Sequence, residues 1–168
     1  MDENLDKKID LRERIISLFK RNKIKFYSLG LIILISLIVF IVLEENKKRK
    51  NSLISEKYVK ASLLVSKNQT TKAKEYYEEI ILSKNNFYAL LSLNKILEKN
   101  LINDKDKILE LFSKMEKKDF SEEYADLILL KKSLYLIQIN QEEAGKKILN
   151  NLIKKNSNLK STAQEILD

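Results

Sequence analysis

One segment limits this chain before any other residue is weighed. Phe26–Leu43 reads Phe-Tyr-Ser-Leu-Gly-Leu-Ile-Ile-Leu-Ile-Ser-Leu-Ile-Val-Phe-Ile-Val-Leu, 18 residues without a charge, 14 of them Leu, Ile, Val or Phe. As a helix it is about 27 Å long at 1.5 Å per residue, close to the hydrocarbon thickness of a bilayer. At roughly −0.3 to −0.6 kcal/mol per such residue, insertion is favoured by about 4–8 kcal/mol. The competing reading is a buried core helix. A core helix in so small a domain would show a polar stripe, and this run has none. The pattern therefore predicts a single transmembrane helix, with Phe26, Leu31, Leu34, Phe40 and Leu43 facing lipid.

The run begins too late and is too long for a cleaved signal peptide, and Glu44-Glu45-Asn46-Lys47-Lys48-Arg49-Lys50 follows it in place of small residues. An uncleaved signal anchor fits better. Lys20, Arg21, Lys23 and Lys25 on one flank tie with Lys47, Lys48, Arg49 and Lys50 on the other, and Arg12 and Arg14 tip the balance to the N-side. Positive flanks stay in the cytoplasm, so the expected topology is a cytoplasmic tail over 1–25, a span over 26–43 and an outward-facing domain over 44–168. No small-xxx-small pair occurs in the span, Gly30 standing opposite Leu34, so nothing favours helix dimerisation. In the tail, Leu11, Ile15, Leu18 and Phe19 follow helical spacing among Arg12, Arg14, Lys20 and Arg21, with Asp10 as a cap. Two readings stay open: an amphipathic helix on an anionic leaflet or a membrane partner, and a solvated stub that only sets topology.

Composition then removes chemistry. There is no Cys, His or Pro, and Gly occurs twice. That excludes thiol and imidazole nucleophiles, the usual zinc sites and Gly-rich phosphate loops. The net charge of +8 does not mark a nucleic-acid binder. The last 118 residues carry twenty basic against seventeen acidic groups, and only four of the 32 basic residues are Arg. Arg is the residue that reads phosphates and bases in a bidentate manner. The pairs Glu78-Glu79, Glu122-Glu123 and Glu142-Glu143 point about 100° apart on a helix, which suits a solvated surface better than acid–base catalysis. No enzymatic activity, cofactor, metal or small-molecule substrate is expected. The Asn68-Gln69-Thr70 sequon reads most simply as an inter-helix turn.

Beyond the anchor, helical periodicity alternates with short Asn-rich breaks, giving helices near 52–67, 71–83, 86–99, 104–117, 121–139, 141–155 and 158–167. Asn tolerates the left-handed conformation that ends a helix, so it can replace the missing glycines. Alternate helices align: Ala73, Tyr77 and Ile80; Ile108, Phe112 and Met115; Ala144, Ile148 and Asn151. Ala89 and Ala125 align in the helices between them. A small residue followed four and three positions later by larger apolar ones packs one helix of an αα-hairpin into its neighbour. Two helices per unit at a period near 34 is the tetratricopeptide pattern. The expected fold is therefore all-α, one anchor helix followed by about three tetratricopeptide-like hairpins, with a non-repeat bundle as the alternative. Of the aromatics, Tyr76 and Tyr88 are expected to be partly exposed and open to a partner.

A basic tail, one signal-anchor helix, a charged juxtamembrane segment and such hairpins, with Tyr58, Ala61, Ala73, Tyr77 and Ile80, resemble the YfgM-like family of ancillary subunits of the bacterial SecYEG translocon. The resemblance covers nearly the whole chain. It implies a single-span inner-membrane protein facing the periplasm, which associates with the translocon and a PpiD-type periplasmic chaperone and assists exported chains. Two other functions stay open: a helical-repeat scaffold for envelope or cytochrome assembly, and a regulatory membrane subunit with a cytoplasmic domain.

Overall fold

The computed structural model describes residue 16 and residues 20–168. The tail helix expected around Leu11, Ile15, Leu18 and Phe19, with Arg12, Arg14 and Asp10, lies outside the described residues. Seven helices are laid out among the described residues: α1 (Lys23–Ser66), α2 (Thr70–Leu82), α3 (Asn86–Glu98), α4 (Lys105–Glu116), α5 (Glu122–Gln138), α6 (Glu142–Lys154) and α7 (Lys160–Leu167). No strand occurs among the described residues.

Two compact units divide the chain between Lys50 and Asn51, a boundary that falls inside α1. In the first unit, α1 is long and apolar enough to cross a membrane, and none of its most apolar 18-residue stretch is buried. Phe26, Leu31, Leu34, Phe40 and Leu43 are all exposed, as are Lys20, Arg21, Lys23 and Lys25. A core helix would have covered those side chains, since each apolar side chain left in water forgoes roughly 1.5–3 kcal/mol.

The second unit is a succession of short helices joined by turns of two kinds. Asn68, Asn100, Asn140 and Asn156 have positive φ, between 48° and 65°. Each sits two residues past the last residue of its helix and closes the same pair of backbone bonds. At the first, Gln69 N–H donates to Leu64 O at 2.9 Å and Asn68 N–H to Val65 O at 3.0 Å. The same 6→1 and 5→2 pattern recurs as Leu101 to Ile96 with Asn100 to Leu97, Gln141 to Leu136 with Asn140 to Ile137, and Ser157 to Leu152 with Asn156 to Ile153. These are Schellman ends, with Asn taking the left-handed position that costs most other residues about 1–2 kcal/mol. The turns after α2 and α4 instead leave in an extended or loose conformation, and side-chain caps open α3 and α4. Asn85 Oδ1 accepts from Tyr88 N–H at 2.9 Å to open α3. Asp104 caps α4 by accepting from the N–H groups of Asp106 and Lys107.

The turn after α2 touches the body of α1 on one side and the turn after α4 on the other. Asn85 Nδ2 donates to Asn51 Oδ1 across 34 residues, at 3.0 Å. Asn86 Nδ2 reaches the carbonyl of Asp119, and Lys118 Nζ the carbonyl of Ser83. Asn51, Asn85 and Asp119 are equally spaced along the chain.

Packing follows the four–three spacing. Ala73, Tyr77 and Ile80 on α2, Ala89 on α3, and Ile108, Phe112 and Met115 on α4 are buried in the larger core cluster, which also takes Ala61 from α1. Ser62 Oγ and Tyr77 Oη hydrogen-bond at 3.1 Å, and the rings of Tyr58 and Tyr77 meet edge-on with centroids 5.7 Å apart. A smaller cluster joins Leu130, Leu149, Leu152 and Ala163 from α5, α6 and α7. α5 serves both clusters, with Ile128 in the first and Leu130 in the second.

The third packing set departs from the sequence expectation by one residue. On α6, Gly145, Leu149 and Leu152 are buried, whereas Ala144 is exposed, Ile148 is half-buried and Asn151 is exposed. The cause is the closeness of α5. A Cβ on residue 145 would stand 2.7 Å from the Ser133 carbonyl oxygen and 2.7 Å from Ile137 Cγ1, so the crossing admits only glycine. Ala125 is likewise only half-buried, and the buried residue in the first turn of α5 is its neighbour Asp126.

Candidate docking cleft

The two tyrosines singled out by sequence are both half-buried and engaged within the fold. Tyr76 lies under the Lys60 ammonium, 4.9 Å from the ring centroid, in a mixed-charge groove of about 540 Å3 with Lys72, Glu75 and Glu79. Tyr88 donates its hydroxyl to Ser55 Oγ at 2.8 Å and packs on Tyr58 with ring centroids 5.5 Å apart. That bond ties the start of α3 to α1. The ordinary use of such a pair is to hold two helices in register, since a buried tyrosine hydroxyl needs a partner.

Exposed aromatic surface instead gathers beside Tyr88, where the first turns of α3 and α5 come together. Phe87 is 62% exposed and Tyr124 49% exposed. Together with Asn86, Leu90, Asp119, Phe120 and Ser121 they line a cleft of about 320 Å3. Its walls come from the two extended turns. Asn85 caps α3, which places Phe87 in the uncovered first turn. Phe120 precedes α5 and stacks on Tyr124 at i+4, with ring centroids 6.5 Å apart in a tilted arrangement. The Asn86 bond to the Asp119 carbonyl fixes one turn against the other. An apolar recess edged by a few polar groups is the usual form of a binding site, and its volume falls in the range of small ligand pockets.

A second cleft, of about 330 Å3, shares Ser121 with the first and is lined by Glu122, Glu123, Asp126, Asn156, Ser157 and Asn158. Asp126 is 2% exposed and accepts from Lys155 Nζ and Ser157 Oγ. Ser157 also takes the Leu159 N–H, at 3.1 Å, so this buried carboxylate anchors the turn between α6 and α7. Lys118, next to Asp119 in the chain, reaches the Ser83 carbonyl with its Nζ, and burial pushes its ammonium below the usual lysine range.

Sequence reasoning passed over Phe87 and Tyr124, which also fit core spacing, and did not single out Phe120. The available signal was the clustering of aromatics at both extended turns, Phe87-Tyr88 and Phe120 with Tyr124. Among the described residues no group of three or more carboxylates is placed to hold a metal. The geometry offers a surface for contact. No family model matches this chain, and neither a curated protein nor a solved structure matches it.

Proposed function

We propose that this chain is a membrane-anchored docking protein, held by α1 in the bacterial inner membrane and presenting tetratricopeptide-like hairpins to a protein partner. The observation that carries the reading is the aromatic cleft, open at Phe87 and Tyr124, on a chain whose first helix is apolar and uncovered. The repeat reading draws on the Schellman ends that recur along the chain, on the 34-residue Asn contact and on the recurring four–three packing sets. Each hairpin has one apolar face to bury, and stacking the pairs buries it. The function is non-covalent. The layout of tail, anchor and hairpins resembles an ancillary subunit of the SecYEG translocon, so the partner we propose is the export channel or its PpiD-type chaperone, with the hairpin domain in the periplasm.

Purification of the tagged full chain from bacterial membranes, followed by mass spectrometry, tests the partner. Translocon or chaperone subunits should be enriched at least tenfold over an unrelated single-span control. Protease treatment of spheroplasts tests the topology in the same cells. The domain should be degraded at the outer face; survival there, with degradation only after lysis, contradicts the periplasmic assignment.

A further inference from the structure

We propose that the paired clefts select a protein segment carrying a bulky apolar side chain and a lysine or arginine within a few residues of each other. This rests on the docking reading above and specifies its occupant. The aromatic cleft supplies the apolar contact through Phe87, Leu90, Phe120 and Tyr124. Its neighbour, joined to it at Ser121, is walled by Glu122 and Glu123. Asp119 lies on the rim of the first cleft.

Unpaired carboxylates occur elsewhere on the surface, at Glu45, Glu75 and Glu143 for example, but those line neither cleft, whereas three stand together here. Glu44, Glu79, Glu98, Glu110, Glu116 and Glu142 each pair with a lysine on the surface. Asp119, Glu122 and Glu123 are exposed and make no ion pair among the described residues. Lys118, the nearest cation in sequence, turns its ammonium to the Ser83 carbonyl. Lys84 and Lys117 are exposed and line neither cleft; at the second cleft Lys155 is taken up by Asp126 and Lys160 Nζ turns to Asn156 Oδ1 at 3.4 Å, so neither pairs with Glu122 or Glu123. Glu122 and Glu123 stand in the first turn of α5, where the free backbone N–H groups of a helix N-terminus favour negative charge. A cation from a partner would meet free carboxylates on one side of Ser121 while its apolar neighbour entered the aromatic recess on the other. The same rim repels phosphate, which disfavours anionic lipid headgroups and nucleic acid as occupants. Complementary charge of this kind selects the partner and speeds encounter more than it adds affinity.

The test uses the full chain in nanodiscs of zwitterionic phosphatidylcholine, titrated into fluorescein-labelled twelve-residue peptides and read by fluorescence anisotropy. The peptides share a Gly-Ser frame and differ only in carrying two Phe-Lys, two Phe-Glu or two Ser-Lys pairs. The Phe-Lys peptide should bind at least tenfold more tightly than either of the others. The double substitution Phe87→Ser with Tyr124→Ser should weaken it at least tenfold. Glu122→Gln with Glu123→Gln should weaken it three- to tenfold and flatten its salt dependence. All four side chains are exposed, so the fold tolerates both pairs of substitutions; matching thermal melts check this. Equal binding of Phe-Lys and Phe-Glu, still lost with Phe87→Ser and Tyr124→Ser, would overturn the charge selection and leave the docking cleft standing. Binding of Phe-Lys that is indifferent to Phe87→Ser and Tyr124→Ser, or no binding of any peptide, would overturn both.

Discussion

Replacing Gly145 by valine is expected to cost the second unit about 3 kcal/mol, and by alanine about 1–2 kcal/mol, although both residues form helix better than glycine. In an isolated helix, Gly→Ala would gain up to about 1 kcal/mol. Here the added Cβ meets the Ser133 carbonyl and Ile137 Cγ1, each at 2.7 Å, and a backbone carbonyl cannot turn aside as a side chain can. α6 would have to lift from α5, opening the contacts of Leu149 and Leu152 in the smaller core. Thermal unfolding of the full chain, followed by circular dichroism, should show the transition of the Gly145→Val variant lowered by roughly 10 °C. Ala144→Val serves as the control, because Ala144 is exposed, and should change stability by less than about 0.5 kcal/mol. An unchanged transition for Gly145→Val would refute the close crossing of α5 and α6.

The same glycine shows where sequence reasoning reaches its limit. The four–three spacing was legible on α6, yet its register was not, because Ala144 and Gly145 are both small and adjacent. Only the distance to α5 decides between them, and that distance is a tertiary fact. An isolated glycine inside a helical pattern is itself a packing signal, since it costs about 1 kcal/mol against alanine and persists only for a reason. The turns were more legible. Asn68, Asn100, Asn140 and Asn156 all fall in breaks read from composition, and all adopt positive φ. Asn85 shows that the same residue type at a break can do the opposite work and open a helix through its side chain. α1 was legible as an apolar run, but its continuation to Ser66 was not fixed by periodicity, since charged Glu44–Lys50 stands within it. The cleft was the least legible feature. Phe87 and Tyr88 are neighbours, and which of them faces out depends on Ser55 accepting the Tyr88 hydroxyl.

Two lysines in the apolar stretch should release the chain from the membrane. Leu34→Lys with Ile38→Lys places two charges near its centre, at about 2.5–3.5 kcal/mol each, and removes two favourable residues at roughly 0.3–0.6 kcal/mol each. The sum, about 6–8 kcal/mol, offsets the whole gain of about 4–8 kcal/mol expected for the run. Alkaline carbonate extraction of cell membranes should leave the wild-type chain in the pellet and move most of the doubly substituted chain to the supernatant. Equal partitioning of the two would remove α1 as an anchor. The hairpin core draws no side chain from this stretch, so the melting transition of the second unit should be unaffected.

Anchor and hairpins serve the docking proposal only if a partner meets the aromatic cleft in the cell. Site-specific photo-crosslinking tests this most directly, with a benzophenone side chain placed at Phe87 or Tyr124 and, as controls, at Lys147 or Asn151 on the exposed face of α6. Illumination of living cells should yield one discrete adduct from positions 87 and 124, diminished by Glu122→Gln with Glu123→Gln, and none from 147 or 151. Adducts that form at 147 and 151, with none at 87 and 124, would contradict the assignment of the cleft as the docking surface.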